Sequence, residues 1–158
     1  MSVSLQYFRA GVGIVPYTSE FQLIIFERSD FPGVWQFPQG GLDEGEDLES
    51  ALWRELREET GIMPSDVSAR HLFPHWLFYE FPQSNRAHLS DPRTLGQIHR
   101  WYFLEIKQPL KIDLAASNHQ EFKDWRLGSF TDVIGARNGM KDKVFMELNT
   151  FFEQNIKK

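Results

Sequence analysis

The 158-residue chain is long enough to form one domain with a substantial core, and its 41% hydrophobic and 25% charged residues are typical of a soluble globular protein. It contains no cysteine, which excludes a disulfide framework and a thiolate metal site. No segment approaches the roughly 18 consecutive apolar residues of a membrane span, and residues 1–6 lack a basic region and an apolar run. We therefore expect a single cytoplasmic domain over residues 1–158, without a membrane partner.

The first third of the chain predicts a β-hairpin, followed by a turn and a further short segment. Residues 10–17 and 21–27 are apolar, β-branched runs, and the three polar residues between them predict a hairpin turn. A Pro-Gly pair at 32–33 marks another turn before the short segment 34–37.

A helix is predicted from near Asp47 to Thr60. Gly61 can supply the left-handed residue that ends a helix, and Pro64 prevents its continuation. Glycines at 40, 41 and 45 precede this helix and allow a tight loop, whose backbone can approach a phosphate or offer a carbonyl to a metal ion.

The rest of the chain predicts three strands and a second helix. Residues 72–81 and 98–107 are aromatic-rich strand candidates, and the polar stretch 82–97 between them is predicted to be a long loop. Residues 121–127 form another strand candidate, and residues 140–155 have the apolar spacing of an amphipathic helix. Strands mixed with two principal helices predict a mixed sheet covered by helices, in the α/β class.

The helix at 47–60 carries an unusual acidic face. Glu55, Glu58 and Glu59 have the i, i+3 and i+4 spacing of one helical face, and a helical wheel interleaves them with the apolar residues that should face the protein body. The same wheel places Arg54 and Arg57 on the opposite side. A solvated acidic face is the commoner explanation of a glutamate-rich helix, but inward-facing unpaired carboxylates are costly. A hard divalent cation would stabilise them, which indicates phosphate chemistry.

The net charge of −5 is concentrated in this region. Residues 40–62 contain eight acids and two bases, a net charge of −6, which leaves 15 bases and 14 acids, or +1, for the remainder. Such a focus of negative charge should attract cations and would repel a phosphate chain unless a metal ion neutralised it.

The acidic helix is part of a longer pattern. Gly40, five residues, Glu46, seven residues and then residues 54–62 match all nine specified positions of the Nudix box. The chain thus resembles the Nudix hydrolases, which act on nucleoside diphosphates linked to another moiety. The resemblance implies an α/β/α sandwich with a mixed β-sheet.

Further segments resemble one branch of that family, the bacterial diadenosine polyphosphate hydrolases and RNA pyrophosphohydrolases. Residues 34–41 resemble the entry to the box in this branch. The later segments 76–82, 96–103 and 121–126 resemble its downstream elements in order. These outer matches are less specific than the box, since aromatic strands are common in protein cores.

The resemblance assigns residues outside the box to the site. Glu121 corresponds to the acid that completes the metal cluster, although an acid at the start of a strand is more often solvated. Tyr79 corresponds to an aromatic residue on which a base stacks, although it could equally be a core residue. Met140 stands where many relatives have a phenylalanine on the other side of that base, and a thioether packs on a ring without π-stacking.

The implied chemistry is hydrolysis of a phosphoanhydride bond with Mg²⁺, for which Mn²⁺ could substitute. The metal ligands would be Glu55, Glu58, Glu59 and Glu121, with Gly40 as a carbonyl ligand. Either Glu58 or Glu121 would be the general base, and Arg54 would orient the glutamates. The expected phosphate contacts are Arg9, Gln39 and Arg100.

The sequence leaves several substrate classes possible. A dinucleoside polyphosphate such as diadenosine tetraphosphate is weighed slightly above a triphosphorylated RNA 5′ end, because the chain outside the box is nearly neutral and shows no basic stripe. Damaged nucleoside triphosphates are a weaker third candidate. A catalytically idle nucleotide-binding module is the alternative from another class, and its usual sign, a missing box glutamate, is absent. The residues give no indication of an oligomeric state.

Overall fold

A mixed β-sheet lies at the centre of the fold, as seen in a computed structural model that describes residues 4–116 and 120–158. The first three residues of the N-terminal stretch considered above lie outside these ranges. The described residues form eight strands: β1 Tyr7–Tyr17, β2 Leu23–Arg28, β3 Trp35–Gln36, β4 Gln39–Gly41, β5 Val67–Leu72, β6 Leu77–Glu80, β7 Thr94–Ile106 and β8 Phe122–Gly128.

Strands β1 and β7 are the long central pair of the sheet, and they run parallel along almost their whole length. The predicted hairpin is confirmed, since β1 pairs antiparallel with β2, which also pairs with β3 and β8. Strands β5 and β6 pair antiparallel with successive parts of β7. Strand β4 pairs antiparallel with β1, where Gly11 faces Gly41.

Helices cover both faces of this sheet. The principal helices are α1 Leu48–Thr60 and α3 Asp142–Phe151, and α2 Gln83–Arg86 is a single turn. Successive β1 residues face opposite sides, so Ile14 packs in the cluster that contains Leu52 of α1, and Val15 packs in the cluster that contains Leu148 of α3. The predicted α/β fold with a mixed sheet flanked by helices is therefore confirmed.

The ends of α1 follow the predicted capping residues. The Asp47 side chain accepts a hydrogen bond from the Ser50 amide at 2.7 Å, and Gly61 adopts a left-handed φ of 76° while its amide donates to the Arg57 carbonyl. The second predicted helix is confirmed as α3, which continues as one π-helical turn at Phe152–Ile156.

Two predicted elements differ from the structure. The single strand predicted at 72–81 is wrong, because the chain breaks between β5 and β6 around Pro74, which cannot donate a hydrogen bond to the sheet. The predicted loop at 82–97 is too long, since it contains α2 and the beginning of β7 at Thr94. Strand β5 was missed because its residues are mostly exposed at the sheet edge and lack the hydrophobic alternation of a half-buried strand.

Candidate active site

Strand β4 brings the glycines of the box against the carboxylates of α1. A Cβ atom built on Gly40 would overlap the Glu55 carboxylate, so this position tolerates no side chain unless Glu55 moves. A Cβ atom on Gly41 would lie 3.1 Å from Nη2 of Arg9, which places that exposed guanidinium beside the same strand. The box loop thus meets acidic groups on one side and a basic group on the other.

Arg54 is the centre of an ion-pair network. Its Nε and Nη2 atoms each donate to Glu46 at 2.7 Å, in a bidentate pair. Its Nη1 atom donates to Glu55 at 2.7 Å and to Glu58 at 3.3 Å, and Nη2 also donates to the Gly41 carbonyl at 2.9 Å. The hydrogen bonds from Arg54 lower the pKa of Glu46 to about 2. The outward position that the helical wheel gave Arg54 is wrong, because the long side chain curls back over the acidic loop.

The negative charges of Glu55 and Glu59 are less well compensated by Arg54 than that of Glu46. Burial raises the pKa of Glu55 although Arg54 opposes the shift. Burial, followed by repulsion from Glu55 and Glu121, raises the pKa of Glu59 well above its usual range. Glu59 accepts one hydrogen bond from the Gln39 amide at 3.2 Å. The fold therefore gathers negative charge that a bound cation would stabilise.

The donor set fits a hard divalent cation, because its groups are carboxylate oxygens next to a closely packed backbone loop. Within the described residues, no three acidic or histidine side chains converge tightly enough to hold an ion in their present rotamers. The reason is visible in the contacts, since Glu55 and Glu58 face Arg54 while Glu59 faces the backbone of β4.

A cavity of about 260 Å³ opens beside the carboxylates. It brings together five of the residues predicted outside α1, and several basic and amide side chains join them. The lining residues are Arg28, Gln36, Gln39, Gly40, Tyr79, Phe81, Gln97, Glu121, Arg137, Met140 and Lys141.

Tyr79 of β6 and Met140, which precedes α3, both line this cavity. Tyr79 is buried, and its hydroxyl donates to the Gln97 side chain and accepts from Nε2 of Gln39 at 3.4 Å. Burial raises the pKa of Tyr79 to about 12. The Lys141 ammonium lies 5.1 Å from the centre of the Tyr79 ring, so a cation already approaches one face of the predicted stacking residue.

The structure does not bring Arg100 to the cavity. Its guanidinium carbon lies 5.7 Å from the centre of the Trp76 ring. The neighbouring His99 packs against Tyr79 and Trp101, and consecutive strand residues point to opposite faces of the sheet. Arg100 is therefore separated by the sheet from the face that carries Tyr79.

Three basic cavity residues were missed by the sequence analysis. Arg28, Arg137 and Lys141 come from β2, from the segment before α3 and from the N-terminal end of α3. Burial, followed by repulsion from Arg28 and Arg137, lowers the pKa of Lys141 to about 7. The count that found the chain nearly neutral outside the box could not detect this local convergence. The one available signal was the position of Lys141 next to Met140.

The fold and this combination of carboxylates, glycines and Arg54 define the class of protein. A family model described as the NUDIX domain matches residues 7–148, and the chain belongs to this family. It is a Nudix pyrophosphohydrolase, and enzymes of this family generally use divalent metal ions.

Among curated relatives, the chain is similar to proteins named RNA pyrophosphohydrolase. That of Shewanella loihica is 44% identical over 145 residues, which cover 89% of this chain and 83% of the relative. That of Histophilus somni strain 2336 is 35% identical over 156 residues, which cover 95% of this chain and 81% of the relative.

Solved structures share the fold at low sequence identity. The E. coli dihydroneopterin triphosphate pyrophosphohydrolase superposes with a TM-score of 0.70 at 16% identity, over 93% of this chain and 99% of that one. The C. elegans Ap4A hydrolase superposes with a TM-score of 0.62 at 18% identity, over 90% and 98%. These likenesses support the fold alone.

Among the helices of the described ranges, none is both long and apolar enough to cross a membrane.

Proposed function

We propose that this enzyme hydrolyses a phosphoanhydride bond in the polyphosphate at the 5′ end of RNA. The observation that carries the proposal is the basic lining of the carboxylate-side cavity, where Arg28, Arg137 and Lys141 meet beside Tyr79. Such a lining suits a phosphate chain attached to a base. The relatives named RNA pyrophosphohydrolase, 35–44% identical over most of the chain, favour an RNA end over the dinucleoside substrate first weighed.

In this proposal, Glu55, Glu58, Glu59 and Glu121 hold Mg²⁺, with the Gly40 carbonyl as a further ligand. Once bound, the cation supplies Lewis-acid polarisation of phosphate oxygens and makes water more acidic. Glu58 and Glu121 both remain candidates for the general base, since their side chains are 36% and 38% exposed and neither is enclosed by the protein.

The other residues bind and orient the substrate. Arg54 fixes the orientation of the Glu55 and Glu58 carboxylates through its hydrogen bonds to both. Gln39, together with the exposed Arg9 beside Gly41, contacts phosphate oxygens, and the cavity cations offset the charge of the leaving phosphates. Tyr79 and Met140 receive the base. Arg100 is left out of the phosphate contacts because it lies on the other face of the sheet.

Hydrolysis of a dinucleoside polyphosphate stays as the second candidate. A further cavity of about 450 Å³ shares Tyr79 and Met140 with the first one and continues along β6 and α3. This space would accommodate the second nucleoside of diadenosine tetraphosphate.

We also propose that residues 1–158 form one domain and that the enzyme acts in the cytoplasm.

A substrate panel tests the proposal. Triphosphorylated RNA oligonucleotides, diadenosine tetraphosphate and ATP would be compared with Mg²⁺ and with Mn²⁺, and the products identified by chromatography. We expect the highest kcat/KM on the RNA end, with a monophosphorylated RNA product. A higher kcat/KM on diadenosine tetraphosphate would favour the second candidate function. An equal kcat/KM on ATP would show that the enzyme selects neither the RNA end nor the dinucleoside polyphosphate.

A further inference from the structure

The Phe31 ring lies between two arginines of the cavity. Its centre is 5.0 Å from the guanidinium carbon of Arg28 and 4.3 Å from that of Arg137. Both distances are within the range of cation–π attraction. The ring is 39% exposed and belongs to the loop between β2 and β3, so it bridges two parts of the chain that are distant in sequence.

The two arginines are held in different ways. Arg28 makes a bidentate pair with Asp30 at 2.7 and 2.6 Å and lies 3.9 Å from Glu121. Arg137 has no carboxylate within 4.0 Å in the parts of the chain that the structure describes, and the Phe31 ring is its close contact. The positive charge of Arg137 is thus oriented by an aromatic face and remains available to an anion.

The backbone at Arg137 is also costly. Arg137 and Asn138 have φ values of 51° and 62°, in the left-handed region that residues with side chains rarely occupy. Glycines at 135 and 139 with positive φ flank them. Backbone strain of this kind persists where the surrounding structure holds it, and here it directs a cation toward the cavity.

We propose that Phe31 is a positioning residue, which holds Arg28 and Arg137 in the orientation that binds the phosphate chain of the substrate. This inference rests on the proposed function, because it assigns the two arginines to substrate phosphates. Phe31 belongs to neither hydrophobic cluster of the core, so core packing does not explain a phenylalanine at this exposed position. Its role is to limit the orientations open to Arg137, and to add a second contact to Arg28 beside its pair with Asp30, before substrate binds.

The test compares Phe31→Leu, which removes the ring, with Phe31→Tyr, which keeps it. Tyr7→Leu is the matched control, since the Tyr7 ring is 40% exposed, lies 5.9 Å from the guanidinium carbon of Arg93 and lines neither cavity. Affinity for inorganic tripolyphosphate in Mg²⁺ buffer is measured by calorimetry, together with kcat and KM on triphosphorylated RNA. We expect Phe31→Leu to weaken tripolyphosphate binding and raise KM by about five- to tenfold, with kcat within about twofold of the wild type. Phe31→Tyr and Tyr7→Leu should stay within about twofold of the wild type in every constant.

A double substitution tests whether Phe31 acts through Arg137. The loss caused by Phe31→Leu should shrink by more than half in an Arg137→Gln background, because the contact is already absent. Full additivity would overturn the proposal, as would unchanged tripolyphosphate binding in Phe31→Leu, failure of Phe31→Tyr to restore it, or absence of tripolyphosphate binding by the wild type. The binding measurement does not depend on turnover, so failure of RNA hydrolysis alone would refute the proposed function and leave the role of Phe31 to be decided by calorimetry.

Discussion

Replacement of Gly40 by alanine tests whether the close approach of the box loop to Glu55 is required for activity. The new Cβ atom would overlap the Glu55 carboxylate, whereas ordinary van der Waals contacts at such positions are 3.4–4 Å. The carboxylate would have to retreat by about 1 Å or more to restore a normal separation. Glu55 is only 8% exposed and is held at 2.7 Å by Arg54, so the retreat would disturb that ion pair as well.

We expect Gly40→Ala to lower kcat by about 100-fold, which is the order of loss that a displacement of about 1 Å causes at an active site. Overpacking should reduce the free energy of unfolding by about 1–3 kcal/mol. The assays are turnover of triphosphorylated RNA at saturating Mg²⁺ and urea unfolding followed by fluorescence of the tryptophans.

Gly45→Ala is the control for backbone effects in the same loop. Gly45 has a φ of 74°, and a Cβ atom there would have no neighbour within 4 Å. This substitution therefore introduces backbone strain of about 1–2 kcal/mol without contacting a carboxylate. If Gly40→Ala retained the kcat of Gly45→Ala, the close approach of residue 40 to Glu55 would not be required for activity.

Three further predictions concern charged and titratable groups. Glu58→Gln should lower kcat by about 10²–10⁴-fold with little change in the thermal midpoint, since Glu58 is partly exposed; near-normal turnover would contradict its assignment as metal ligand and candidate base. Arg54→Lys should lower kcat by more than about tenfold, because an ammonium cannot reproduce the bidentate pair with Glu46 together with the contact to Glu55, and equal rates would show that the fork is dispensable. Burial lowers the pKa of His99 to about 3, so below pH about 6.5 the unfolded chain binds a proton that the folded chain does not, and stability falls by about 1.4 kcal/mol per pH unit until pH about 3. His99→Gln should reduce the slope of the free energy of unfolding against pH, between pH 6.5 and 4.5, by the amount that uptake of one proton causes. Urea titration at each pH measures this slope, and equal slopes in the variant and the wild type would contradict the assignment to His99.

The local elements were predictable because local chemistry defines them. Asp47 offers a side-chain acceptor to the first turn of α1, and Gly61 adopts the left-handed conformation after its last turn, so both ends of the helix were visible in the sequence. The inward position of Glu55 also followed from the helical period, since the apolar neighbours on the same face had to be buried.

Side-chain reach and edge pairing were not predictable in the same way. A helical wheel describes the direction in which a side chain leaves the backbone, but the length of Arg54 allows its guanidinium to return to Glu46. Strand β5 lies at an edge with most of its residues exposed, and its pairing with β7 depends on contacts far away in the sequence. Neither feature leaves a periodic signal.

The residues of the box were enough to predict the chemistry. The nine box positions indicate a Nudix hydrolase, and the three glutamates with Arg54 require only one helix and the loop before it to come together. The groups that surround these residues depend on long-range contacts of the folded chain. Arg28, Phe31 and Arg137 lie more than 100 positions apart at their extremes, and they meet because β2 and the segment before α3 converge at one cavity. Charge counted along a chain averages over such groups, whereas binding depends on the few that the fold brings within contact distance.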